Sequence, residues 1–323
     1  MSHFTNKDKR NFGYGRQLNY AGLQALRDSY GQGRFATVQA HGERWRLFAA
    51  WCSQQHDLND ARHLDLALLQ DYARYLSQAV KHGELAISTA QNRLSTVNRT
   101  LEVLRGDQQV RLSPSSALGL YRSNLRTHAP QGQERTHLLP LSQTLREQGF
   151  ARVAAIIHLA REGGLRLREA ILADLPRLQR EAEQHGSINI ADGTKGGRRG
   201  AAAPRWIHVS EGLRQALLQA ASVSPKGSRN LLEPGERYVD FIQRQVRPAR
   251  HLLQTHGIKG LHELRTAYAC ERYQQITGQP APVNGGQLHR ENREQDYRAR
   301  ERIAQELGHN RIDVVAAYIG GRR

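Results

Sequence analysis

Apolar residues recur at helical spacing along most of the chain. From Phe35 to about Gln54, Val38, Trp45, Phe48 and Trp51 mark one helix. Leu64, Leu68, Leu69, Tyr72, Tyr75 and Leu76 mark a second from about His63 to Val80, with Gly83 as its stop. A third opens at Ser88, where Gln91 three positions on completes a capping-box pattern. Its inner face is Leu94, Val97, Leu101 and Leu104. Residues 1–33 mix Gly, Asn, Tyr and charge, and the pattern predicts loop with some short helix. The periodicity then lapses over 107–142, where Pro114, Pro130 and Pro140 gather, with one short helix expected around Ala117–Arg126.

Helical spacing returns with Leu145, Phe150, Val153, Ile156, Ile157 and Ala160, and stops at Gly163-Gly164. Another helix starts at Leu165-Arg166-Leu167-Arg168-Glu169-Ala170. Ile188-Asn189-Ile190 and Arg205-Trp206-Ile207-His208-Val209 have strand character, and the Gly- and Arg-rich segment between them predicts a hairpin with a basic tip. Helices follow at about Glu211–Ser222, Glu236–His256, Leu261–Ile276 and Arg290–Leu307, with a Pro/Gly/Asn interruption over 278–287. The pattern therefore predicts a mainly α protein with a small β-sheet. A helical bundle over 1–130 and a linker over 131–142 lead to an α+β domain over 143–323.

Charge changes this picture from architecture to partner. Lys and Arg number 47 against 30 acidic residues, a net charge of +17. Residues 1–130 carry +7, residues 131–150 carry 0 and residues 151–323 carry +10, so both halves are basic. A polyanion touching both is the economical inference, and nucleic acid is the commonest. On the third helix Gln91, Asn92, Arg93, Ser95, Asn98 and Arg99 lie outside the apolar stripe with no acid before Glu102, a face that suits phosphate oxygens and groove edges. Asn92, Arg93 and Arg99, with Arg198 and Arg199 at the hairpin tip, are the candidate DNA contacts. No apolar run approaches a membrane span, and the polar N-terminus lacks a secretory signal. Cys52 and Cys270 alone make no disulfide framework, which points to the reducing cytoplasm and, with the charge, to the nucleoid.

Several side chains could do chemistry. His262-Glu263-Leu264-Arg265 opens a helix, and three-residue spacing puts His262 and Arg265 on one face. A zinc-protease motif would need a second His where Thr266 stands, so the pair is read as a phosphate-oxygen donor set. Arg166 follows paired glycines, with Glu169 placed to orient it. Lys195 sits in the hairpin tip without the spacing of a nucleotide-cradling loop. Near the end, Glu306-Leu307-Gly308-His309 precedes a short helix that Asn310 can cap and Asp313 can favour, and Tyr318 lies nine positions after His309. Taken alone, Tyr318 is an ordinary packed residue of that helix, beside Val314 and Ala317.

Read in order, these pieces resemble the tyrosine recombinase (phage-type integrase) family. Gly164-Leu165-Arg166-Leu167-Arg168-Glu169 resembles its first-arginine motif, and Thr194-Lys195-Gly196 its hairpin lysine. Leu261-His262-Glu263-Leu264-Arg265 resembles its histidine–arginine box, and Leu307-Gly308-His309 with Tyr318 its last box and nucleophile. The resemblance covers about 145–318 and implies a site-specific recombinase that cuts and rejoins DNA, without metal, ATP or other cofactor, for a mobile element. It further implies catalysis by Arg166, Lys195, His262, Arg265, His309 and Tyr318 through a 3′-phosphotyrosyl intermediate. The implied partners are double-stranded DNA carrying a recombination site, three further protomers on that DNA, and accessory DNA-bending proteins. A type IB topoisomerase-like strand relaxer uses a similar constellation, and a non-catalytic DNA-binding protein could keep the fold. Tyr268, Tyr273 and Tyr297 are rival nucleophiles at the wrong spacing. Two departures stand out. The stretch from Arg265 to His309 is long, with the excess at 278–300, and only five residues follow Tyr318, so its helix is expected to be weakly tethered and mobile until DNA binds.

Overall fold

A computed structural model describes residues 7–194, 204–287, 292–309 and 311–321. The chain divides into two compact units, Met1–Ser123 and Asn124–Arg323.

The first unit is a bundle of helices α1 (Leu18–Tyr30), α2 (Phe35–His56), α3 (Leu66–Lys81) and α4 (Ile87–Arg105), closed by the short α5 (Pro114–Leu118). Helix α1, with 13 residues, falls where loop with some short helix was expected. Its Leu18, Ala21, Gly22, Ala25 and Leu26 form a buried stripe of mostly small residues, which composition alone does not betray. Gly22 is required for packing rather than turning: a Cβ there would lie 1.9 Å from Trp45 Nε1. That indole N–H instead donates to the Leu18 carbonyl at 3.0 Å. Trp45, Phe48, Trp51 and Tyr72 then stack in the centre.

Helix α4 starts one residue earlier than expected, after Ala86, and the Ser88–Gln91 capping box does not form. The Gln91 amide turns inward and donates to the Leu120 carbonyl at 2.7 Å. Asn98 does likewise, donating to the Leu112 carbonyl at 2.7 Å and accepting the Leu112 N–H at 3.2 Å. Both are buried and satisfy the aperiodic chain after α4, so they leave the expected outer face.

The second unit is built around α7 (Ala151–Gly163), preceded by α6 (Leu138–Glu147). Residues 131–142, expected as linker, pack in this unit: Leu138 and Leu141 are buried with Leu145, Val153 and Ile157. The other side of α7, with Ile156 and Leu159, faces the larger core of the unit. Helices α8 (Leu167–Leu172) and α9 (Leu175–His185) lead to strands β1 (Ser187–Asn189) and β2 (Trp206–His208). These strands pair antiparallel with Ile188 opposite Ile207, while Lys195, Arg198 and Arg199 at the expected basic tip lie outside the described residues. Helices α10 (Glu211–Ser222), α11 (Tyr238–Phe241), α12 (Arg247–Thr255) and α13 (Leu261–Thr277) follow, with a π-helical turn over Ile242–Val246. The last two are α14 (Arg293–Glu306) and the four-residue α15 (Ala316–Ile319). The two-stranded sheet amid these helices is the mainly α architecture with a small sheet that the pattern predicts. Among the described residues no helix is long and apolar enough to cross a membrane.

Candidate active site

The site is assembled on two helix ends. The last carbonyls of any helix lack intrahelical partners and carry the negative end of its dipole. Here α7 ends at Gly164 and α14 at Leu307, and their free carbonyls are answered by guanidiniums. Arg265 donates through Nη1 to the Gly164 carbonyl and through Nη2 to the Leu307 carbonyl. Arg166 Nη2 reaches the same Leu307 carbonyl at 3.0 Å. Arg205 Nε donates to the Glu306 carbonyl at 2.5 Å and Nη2 to Gly164 at 3.3 Å. Gly164 has φ +60°, and a Cβ on it would come within 2.5 Å of the Tyr268 ring, so only glycine lets α7 stop there.

Glu169 sits at the centre, with no exposed surface. Its Oε2 accepts the Arg166 backbone N–H at 2.7 Å, closing the first turn of α8, while Oε1 accepts Arg166 Nη1 at 2.6 Å. Glu169 therefore orients Arg166 as its spacing predicts. The same carboxylate accepts Arg205 Nη1 at 2.7 Å and lies 3.8 Å from Arg265 Nη1. Burial alone would push Glu169 up; Arg205, Arg166 and Arg265 bring its carboxyl down to about 2.

Sequence reasoning missed Arg205. The signal was present in the strand period: Arg205, Ile207 and Val209 alternate with exposed Trp206 and His208, which puts Arg205 on the core face. Burial lowers its affinity for a proton, and Glu169 opposes that.

Tyr318 closes the site. Its hydroxyl lies 3.1 Å from His309 Nε2 and 3.4 Å from Arg265 Nε. The Arg265 guanidinium carbon stands 5.6 Å from the centre of its ring, and the His262 ring centre 5.2 Å. His262 and Arg265 share one face at the start of α13, as expected. Burial and then Arg265 lower His262, and burial with Arg265, Arg166 and Arg205 pushes His309 down to about 4. Arg265 is itself lowered to about 10 by burial and by Arg205, and stays charged at neutral pH. A neutral His309 can accept the Tyr318 proton, and the guanidiniums can receive an anion. A cavity of about 300 Å³ opens beside Arg166, His262 and Arg265.

Five of the six expected catalytic positions are thus brought together, and Lys195 lies outside the described residues, as does the expected cap Asn310. Two of the rival tyrosines are committed to other partners, and the third is exposed. Tyr268 donates to Glu306 at 2.8 Å and Tyr273 to Asp296 at 2.9 Å, and Tyr297 is 46% exposed. The expected weak tether needs correction in one respect: α15 is held from upstream. Val315 and Ile319 are fully buried, and Arg300 Nη1 donates to the Gly320 carbonyl at 3.1 Å.

Of the candidate DNA contacts on α4, Asn92 is exposed and Arg93 partly so. Arg99 is engaged within its unit, donating to Ser29 at 2.7 Å and lying 5.8 Å over the Tyr30 ring.

Residues 124–271 match the family model described as integrase, a stretch that takes in Arg166, Lys195, His262 and Arg265. No curated protein matches the chain in sequence. Among solved structures, it is similar to the Tn1549 transposon integrase in complex with transposon right end DNA, at 13% identity and a TM-score of 0.59, over 94% of this chain and 95% of that one. It is also similar to a lambda integrase dimer bound to a COC′ core site, at 14% identity and a TM-score of 0.55, over 94% and 78% of the two chains. A lambda integrase tetramer bound to a Holliday junction matches at 12% identity and a TM-score of 0.53, over 93% and 77%. These likenesses give the fold, and the family match falls on the unit that carries the arginine cluster. Residues 124–271 thus carry the match to the integrase family, and the chain has the fold of the DNA-bound integrases to which it is similar.

Proposed function

We propose that the chain is a recombinase that cuts a specific DNA site with Tyr318 as nucleophile, using Arg166, Arg265 and His309 to hold the scissile phosphate. The observation that carries the reading is the Tyr318 hydroxyl 3.1 Å from His309 and beside Arg265, in a chain whose net charge is +17. The tyrosine oxygen attacks phosphorus, and His309, neutral beforehand, takes the phenolic proton. The non-bridging oxygens gain charge in the transition state, where Arg166, Arg265 and the now cationic His309 meet them. Each such preorganised donor is worth about 10²–10³ in rate. The bond from phosphorus to the 5′-oxygen breaks, and Lys195 supplies the proton that leaves a 5′-hydroxyl. His262 supports phosphate binding or proton transfer. The phosphotyrosyl ester keeps the bond energy, so rejoining needs neither metal nor ATP.

The DNA is bound through the basic surface, with Asn92, Arg93, Arg99, Arg198 and Arg199 as contacts, and Arg99 must first give up its internal partners. Exchange between two duplexes would use four protomers, with DNA-bending proteins assisting, near the nucleoid in the cytoplasm. A nicked suicide substrate carrying the true site tests the chemistry. Wild type should form a covalent protein–DNA band, and Tyr318→Phe should bind the same DNA and form none. A persistent band in that variant would place the nucleophile elsewhere. Site-independent relaxation of a plasmid would instead favour a strand relaxer.

A further inference from the structure

The stretch that opens the second unit runs alongside the segment that carries Tyr318. The Arg126 backbone N–H donates to the Ala316 carbonyl at 3.0 Å. A Cβ on Gly320 would stand 3.4 Å from the Arg126 carbonyl oxygen, and one on Gly321 would meet the Leu125 side chain at 2.7 Å. The two backbones are therefore in close contact, and Gly320, at φ +86°, suits that approach.

The side chain of the same arginine is anchored elsewhere. Its guanidinium forks onto Glu263, Nη1 to Oε1 at 3.3 Å and Nη2 to Oε2 at 2.6 Å. Nε donates to the His128 carbonyl at 2.8 Å, and Glu263 Oε2 also accepts the Gln131 N–H at 3.0 Å. Both partners of the fork are 16% exposed, shielded enough for a bidentate pair to hold its geometry. Glu263 is the residue after His262, whose ring faces Tyr318.

Helix α15 has four residues and cannot be stable by its own hydrogen bonds. Its position is set by what grips it from outside, and the strap through Arg126 grips its first residue. We propose that Arg126 is a positioning residue for the nucleophile: its fork on Glu263 fixes the strap that pins α15, so that Tyr318 is held over the Arg265 and His309 of its own chain. The inference rests on the reading of Tyr318 as nucleophile.

Single-turnover formation of the covalent adduct on a nicked suicide substrate, at saturating DNA and with the full chain, tests it. Arg126→Ala should form the adduct about 10–100-fold more slowly, the scale on which small misplacements of a reacting group act, with DNA affinity near that of wild type. Arg126→Lys should recover part of the rate, since it keeps the charge and loses the fork. Glu263→Gln, nearly isosteric and the safer variant for folding, should show a comparable loss, and the double variant no further loss beyond the larger single one. A substrate with sulfur at the 5′-bridging position leaves without a proton. It should not close the gap between Arg126→Ala and wild type, because attack rather than departure is impaired. Wild-type rates in both single variants would overturn the inference. So would a loss confined to DNA affinity, which would make Arg126 a phosphate contact, or losses that multiply in the double variant. A wild type that forms no adduct overturns the nucleophile reading instead, and is seen in the control lane.

Discussion

The polar groups of α4 and those around Gly164 and Leu307 serve backbone carbonyls in both cases, with opposite consequences. On α4, Asn98 donates to and accepts from Leu112, and Gln91 donates to Leu120. Neutral amides matched this way are finished: they stabilise the chain they hold and have no charge left for a partner. In the second unit the carbonyls of Gly164, Glu306 and Leu307 are met by Arg166, Arg205 and Arg265, with Glu169 as the carboxylate they share. Three guanidiniums against one carboxylate leave an excess positive charge of two, held in place before any substrate arrives. Donors that are rigidly held and incompletely neutralised are what an oxyanion needs. The difference separates polar residues that complete a fold from those that are poised for a ligand.

The largest effect expected from this comparison is on the poised side. Arg166 has a side chain 27% exposed and faces the cavity, so its loss opens the site without stripping the core. Arg166→Ala should slow covalent cleavage by about 10²–10³ while changing site affinity far less, measured by single-turnover trapping and by a binding isotherm on the same DNA. Wild-type rate and affinity, with only stability reduced, would make Arg166 a completed structural group like Asn98.

This contrast also explains what was legible in the sequence. The boxes that resemble the family each look ordinary alone, yet their order along the chain is a non-local constraint that surface composition does not imitate. Helices α2 and α3 were visible because Val38, Trp45, Phe48 and Trp51, and Leu69, Tyr72 and Leu76, recur at helical spacing. Helix α1 was hidden because three of the five residues in its buried stripe, Ala21, Gly22 and Ala25, are small, with Gly22 set against Trp45. The outward face of α4 was over-read for a related reason: helical spacing identifies which residues leave the apolar stripe, not whether a following segment, such as α5 with its flanking Leu112 and Leu120, will cover them. Arg205 went unnoticed because its meaning depends on Glu169, 36 residues away and visible only once the fold joins them.

A second test concerns protonation. His309 is pushed down to about 4 by burial and by Arg265, Arg166 and Arg205, so in the free enzyme it is neutral well below the usual histidine range. The second-order rate of adduct formation, which reports groups of the free enzyme, should not show a histidine limb near pH 6.5 and should stay level down to about pH 5.5. The stability counterpart has a definite sign. The unfolded chain binds the His309 proton at higher pH than the folded one does, so the folded state loses stability as pH falls from about 6.5 toward 4. Above that window His309 is neutral in both states and its contribution is constant. His309→Asn should therefore flatten the fall of Tm between pH 7 and 5. An unchanged slope would mean that burial and the guanidiniums do not hold His309 below the usual histidine range.

The smallest effects fall within α4 itself, where they divide two residues five positions apart. Asn98 is 7% exposed and completes the Leu112 backbone, so Asn98→Ala should destabilise the protein by about 1–3 kcal/mol through the donor and acceptor it strands. DNA affinity of the folded fraction should not change. Arg93 is partly exposed on the same helix, and Arg93→Ala should leave the melting temperature nearly unaltered while reducing the salt slope of DNA binding by about one. The two measurements are needed together, because a basic protein loses some affinity whenever any arginine is removed, whereas the slope falls only where a phosphate contact is lost. If Arg93→Ala lowers stability and spares the slope, α4 is a structural helix throughout. The DNA contacts of the first unit would then have to be sought on another face, with Asn92 and Arg93 joining Gln91 and Asn98 as groups that complete the bundle.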